Sequence, residues 1–155
     1  MQKLIKQYDI SKWIFTKKIL IDREVQPPHS PPVLTLNTRY IKDDELLLST
    51  FLHEQIHWFL VERDVQTKNA ITELKSIFPK VPVGFPEGAR DEQSSYLHLL
   101  VCYLEYQANK EAFGELKARQ IIEFWATHHY TWIYKQVLSD ERKIGNVIRK
   151  YKLMI

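Results

Sequence analysis

The sequence predicts an α+β fold that is mainly helical, with a small β-sheet at its N-terminal side, and three observations carry that reading. Residues 1–40 hold short runs rich in branched and aromatic side chains, at 13–16, 18–21 and 33–38. From about residue 43 onward, apolar residues recur at helical spacing instead. Within the first helical stretch stands His53-Glu54-Gln55-Ile56-His57. This reads H-E-x-x-H, and on a helix its two histidines share one face about 6 Å apart, within reach of a single metal ion.

At 155 residues the chain suits a single domain spanning 1–155, long enough to bury roughly two thirds of the surface its unfolded form would expose. Cys102 is the sole cysteine, so no intramolecular disulfide is expected and a reducing, cytoplasmic setting is the natural reading. The first residues are basic but lack the apolar stretch and cleavage site of a signal peptide. No run approaches the roughly 20 apolar residues of a membrane span, so no membrane partner is expected. The formal net charge of +3 is mild, and basic residues gather only in Arg142, Lys143, Arg149, Lys150 and Lys152. That pattern suits the solvated side of a terminal helix, and no nucleic-acid partner is expected. No feature specifies an oligomeric state.

Taken in order, the three β-like runs are interrupted by 27–32, where four prolines in six residues rule out a central strand and imply an extended surface connection. His29 within it reads as a solvated loop histidine. Asp43, Asp44 and Glu45 suit a helix N-terminus, and a helix over about 44–62, apolar around much of its circumference, is expected at the centre of the fold. A second, amphipathic helix is expected over 69–78. Residues 79–90 hold three prolines and two of the four glycines, which predicts a long loop and a wall of the cleft. A helix from about 91 to 113 follows, with Gly114 as its stop. Two or three further helices fill 115–155.

Around the H-E-x-x-H core, Thr50, Phe51, Leu52, Gln55, Ile56, Trp58 and Phe59 are all uncharged. With these flanks the stretch resembles the zincin metallopeptidases, whose extended motif asks for uncharged residues at these places. A helix lying beneath the cleft does not tolerate an unpaired charge beside its metal ligands. The resemblance covers about residues 33–110 and implies a zinc-dependent hydrolase of peptide or protein substrates. In it, His53 and His57 bind Zn2+ and Glu54 takes a proton from zinc-bound water. Strands preceding the metal helix also fit the zincin plan, in which an edge strand lines the cleft.

Catalytic zinc takes three protein ligands, and zincins supply the third either shortly after the motif or from a second helix. No histidine occurs over 58–64, which leaves Glu87, Glu92, His98 and Glu105. Pro86-Glu87-Gly88-Ala89 resembles in three letters a Glu-Gly-x-Ala zinc sequence of several gluzincins. Glu92 sits where a helix N-terminus favours an acid anyway. His98 and Glu105 lie seven residues apart on one face of an apolar helix and need partners. By analogy with zincins, His98 is the preferred third ligand. If the two helices run antiparallel, Glu105 accepts a hydrogen bond from the His53 ring; in the alternative, Glu105 is on the metal and His98 acts at the reacting oxygen. In His128-His129-Tyr130, at most one of the histidines faces the metal, to steady an oxyanion, and solvated imidazoles at a helix boundary near Thr127 are the plainer reading. Arg90 and Asp91 are candidates for holding substrate ends. The rival to a zinc metallopeptidase is a non-catalytic metal-binding helical module that acts in protein–protein interaction.

Overall fold

The two longest helices begin on aspartate caps. In a computed structural model describing residues 1–155, the Asp43 carboxylate accepts hydrogen bonds from the backbone N–H groups of Glu45 and Leu46 at 3.1 and 2.9 Å. Asp91 accepts from Ser94 N at 2.7 Å. Each cap satisfies donors that have no partner within the helix. These caps open α2 (Asp44–Glu62) and α4 (Glu92–Phe113), and α4 ends at Gly114, whose φ of 80° is open to glycine at little cost. The other helices are α1 (Gln2–Gln7), α3 (Asp64–Ile77), α5 (Glu115–Trp125), α6 (Thr131–Ser139) and α7 (Glu141–Lys150). None of them is long and apolar enough to cross a membrane.

The β-structure is slighter than the sequence suggests. β1 (Ile19–Ile21) and β2 (Leu34–Leu36) pair in parallel, Ile19 opposite Leu34 and Ile21 opposite Leu36. β2 is fully buried and packs on α2, whereas β1 is exposed. The connection containing the prolines returns along β2 through an antiparallel bridge between His29 and Thr35. The first run, 13–16, forms no strand: Ser11–Trp13 is a turn of 3-10 helix, and the extended chain after it bonds to a side chain instead of a ladder. Gln55 Oε1 accepts from Phe15 N and Thr16 N at 2.7 and 2.8 Å, and Gln55 Nε2 donates to Thr16 O at 2.8 Å. One buried amide thereby satisfies the backbone groups that a neighbouring strand would have used.

The helical body differs in two respects from the expectation. The second helix begins at Asp64 instead of 69, because only Arg63 separates it from α2 and the Leu60 carbonyl at the end of α2 accepts both from Arg63 N at 3.2 Å and from Thr67 Oγ1 at 3.0 Å, which ties the two helices together. The hub is α4, which touches α2, α3, α5, α6 and α7. Its run Leu99-Leu100-Val101-Cys102 is fully buried, so the helix is apolar on every side and has to be surrounded. A continuous cluster of 36 buried apolar residues extends from Leu4 to Leu153.

Loop 79–91 is fixed at both ends. Ser95 Oγ donates to Pro82 O and accepts from Ala89 N, at 2.7 and 2.9 Å. Gly88 lies so close to the Pro82 carbonyl that any β-carbon would collide with it. The carbonyls of Pro86 and Glu87 accept from Thr131 N and Trp132 N at 2.8 and 3.3 Å. The loop therefore seats the start of α6, and with it Tyr130.

Candidate metal centre between two antiparallel helices

α2 and α4 run antiparallel, as their side-chain pairs show: Ser49 meets Glu105 and Asn109, while His53 and His57 meet His98. The ring centroids of His53, His57 and His98 are 5.1 to 5.6 Å apart, and one ligand atom of each lies within 4.8 Å of the others. Glu105 is elsewhere engaged, and the remaining two candidates lie outside the group. Glu87 is exposed on the loop, and Glu92 is exposed and paired with Lys75 at 3.6 Å. Both acids have helix-end or loop positions that solvate them, which is why neither turns inward.

Proton bookkeeping assigns the histidine nitrogens. Ser49 Oγ accepts from Asn109 Nδ2 and from Trp125 Nε1, each at 3.0 Å, and both of these groups can only donate. The single Ser49 proton therefore goes to Glu105 Oε1, 2.6 Å away. Tyr134 OH donates to Glu105 Oε2 at 2.8 Å, and His53 Nδ1 lies 2.9 Å from the same oxygen. A carboxylate surrounded by hydroxyl donors is an acceptor for the ring as well, so His53 carries its proton on Nδ1 and turns the lone pair of Nε2 outward. His98 is set the same way, because Nδ1 lies 2.7 Å from the backbone carbonyl of Ser94, which can only accept. A second group, His53, Cys102 and Glu105, also brings its ligand atoms within 4.8 Å. It is a satisfied hydrogen-bond cluster, since Glu105 already has three donors and His53 Nδ1 is one of them.

The electrostatics divide the three rings. Burial lowers the His57 pKa well below its ordinary value, and the neighbouring His53 and His98 lower it further. Burial, and then His53, bring His98 down to about 3. For His53 burial also acts downward, but the hydrogen bond and charge of Glu105 act upward and prevail, leaving the pKa raised. Two of the three rings are thus held neutral, the form that ligates metals.

Glu54 lies a third of a turn from His53 on α2 and is 4 % exposed. Its Oε2 is buried with no hydrogen-bond partner. Burial pushes its pKa up to about 7, with the His53 charge acting downward against it. One turn later on the same side, Trp58 Nε1 is also buried without a partner. Tyr130 lies across from these groups, its ring 4.3 Å from that of His98 and parallel to His53 within 9°. It has φ 49° and ψ 38°, a left-handed backbone that costs a bulky residue strain and recurs at functional sites. Burial raises the Tyr130 hydroxyl above its ordinary range, so it remains a donor.

The helix boundary expected near Thr127 falls where α5 ends at Trp125, and the two histidines after it diverge. His128 is exposed and stacked on Phe124, while His129 is brought down to about 4, by burial first and then His53. Arg90 donates to Asp91 at 3.1 Å, and Asp91 is also the α4 cap, so both are in use within the fold. They nevertheless stand, with His57, Leu60, Ile71 and Leu97, around a cleft of about 430 Å³, which puts the end of the 79–91 loop beside the histidines. Ser49, Asn109, Trp125 and Tyr134 are the site residues that sequence reasoning missed. Ser49 and Asn109 carried a faint signal, as small polar residues one turn beyond His53 and Glu105 on otherwise apolar faces; Tyr134 carried none.

No protein-family model matches the chain, and comparison with curated proteins and with solved structures returned no significant match.

Proposed function

We propose that this protein is a zinc-dependent hydrolase acting on peptide bonds, with His53, His57 and His98 holding the metal and Glu54 serving as general base. The observation that carries this reading is the convergence of three imidazoles beside a buried carboxylate whose Oε2 is unpartnered. The donor set fits zinc, which in catalytic sites takes three protein ligands and leaves one position open. Zinc bound there would supply Lewis acidity, polarising a carbonyl and lowering the pKa of water.

The chain's own residues then divide the work. Glu54 takes the proton of the attacking water and later delivers it to the leaving amine, a role open to a buried carboxylate whose Oε2 has no partner in the protein. Glu105 keeps the His53 ring in one tautomer. Tyr130, protonated and against His98, donates toward the carbonyl oxygen as charge develops there. The rival, a non-catalytic structural metal module, calls for a closed set of four protein ligands. Glu105, the nearest candidate for a fourth, is bonded by three donors instead, which supports the open set.

The test is metal analysis of protein purified without added zinc, combined with hydrolysis of a peptide library by wild type and Glu54→Gln. About one zinc per chain is expected in both, with turnover only in wild type. A wild type that lacks zinc and remains inert when it is supplied would overturn the reading. Unchanged turnover in Glu54→Gln would remove Glu54 from its role.

A further inference from the structure

The last forty residues have no part in the motif, yet they close the back of the histidine site. Trp125 is the last residue of α5 and Tyr134 stands in the middle of α6, and both side chains are buried at 3 % and 1 % exposure. Each places a single donor into the cluster. Trp125 Nε1 bonds Ser49 Oγ at 3.0 Å, and Tyr134 OH bonds Glu105 Oε2 at 2.8 Å. Neither touches the histidines through a hydrogen bond, so both act on His53 only through what they hold.

We propose that α5 and α6 form the positioning layer of the histidine site. Trp125 orients the Ser49 hydroxyl onto Glu105, and Tyr134 holds the same carboxylate, so that His53 keeps its proton on Nδ1 and presents Nε2 to His57 and His98. The chain of cause is set by proton count. With the Trp125 and Asn109 donors occupying the acceptor sites of Ser49, its proton has one destination, Glu105 Oε1. With Oε1 so anchored and Oε2 shared between Tyr134 and His53, the carboxylate has a fixed plane. A ring bonded to a fixed carboxylate is fixed in tautomer and direction. Tyr134 and Ser49 are therefore positioning residues, and a chain ending at Gly114 would lack the layer. The proposal rests on the reading of His53 as a metal ligand, but its tautomer prediction can be examined without metal.

Two readouts on the full-length protein test it. The first is zinc affinity by competition with a chromophoric chelator, for wild type, Tyr134→Phe, Ser49→Ala, the double variant and Tyr106→Phe. The last removes a hydroxyl bond from α4 to Glu115, of 2.9 Å, away from the cluster, and controls for loss of stability alone. Each single variant is expected to weaken zinc several-fold and the double variant roughly 10- to 100-fold, the range for removing outer-shell partners, with Tyr106→Phe within twofold of wild type. The second is the ¹⁵N spectrum of the His53 ring in metal-free protein, at a pH where the ring is neutral. Wild type should show a protonated Nδ1 and the double variant a mixture of tautomers. A double variant with wild-type zinc affinity and an unchanged Nδ1–H signal would overturn the proposal, as would an equal loss of affinity in Tyr106→Phe. If wild type shows the Nδ1–H tautomer and the variants lose it, but no zinc binds, the positioning layer stands and the metal reading falls.

Discussion

The two sides of α2 treat their polar groups in opposite ways. Toward α4, α5 and α6, Ser49, Glu105, Trp125 and Tyr134 are buried and each donor among them has an acceptor within 3.0 Å. Around Glu54 and Trp58, an acceptor and a donor are equally buried and have no partner in the protein. Burying a polar atom without a partner costs roughly 1–3 kcal/mol, so the first side contributes to stability and the second detracts from it. The lesson is that the H-E-x-x-H helix is held from behind by a network in which every donor is placed and only Asn109 Oδ1 lacks a partner, while at its front both Glu54 Oε2 and Trp58 Nε1 are left unsatisfied, the arrangement expected where a ligand is to supply the missing partners.

The sharpest way to break this asymmetry is to remove a ligand from the rings between the two sides. His53→Ala and His98→Ala are each expected to drop zinc from about one per chain to below a tenth in metal analysis. Next comes Glu54→Gln on the unsatisfied side, which should keep zinc and lower peptide hydrolysis by about 10²–10⁴-fold. Its denaturation midpoint is expected to be equal to or above that of wild type. Glu105→Ala on the satisfied side should do the reverse to stability, orphaning three donors and costing on the order of 3 kcal/mol by urea unfolding. Gln55→Ala probes the far side of α2. It should cost about 2 kcal/mol and speed amide exchange at Phe15 and Thr16 while leaving zinc content unchanged. The smallest effects belong to Glu87→Gln and Glu92→Gln, with zinc unchanged and stability within about 0.5 kcal/mol.

Much of the scaffold was legible in residue type and spacing. Asp43 and Asp91 announced the starts of α2 and α4, Gly114 the end of α4, and the prolines of 79–90 a loop. The first β-like run misled because branched and aromatic residues favour any extended, half-buried chain, and Gln55 provided its partners without a strand. For the site, helical spacing alone put His53 with His57, and His98 with Glu105, on common faces. Spacing could not say whether α2 and α4 ran parallel or antiparallel.

By itself, then, the sequence determined which side chains share a helix face, because the 3.6-residue period is a local property of the backbone. It also determined where helices start and stop, through caps that act within one turn. Only the tertiary structure decided that His98 joins the histidines while Glu105 stands behind them. It alone brought Tyr134 and Trp125 into the network across 29 and 76 residues of chain. Those meetings depend on the packing of α4 against five helices at once, and the free energy of such packing is spread over the whole core, with no local pattern to record it.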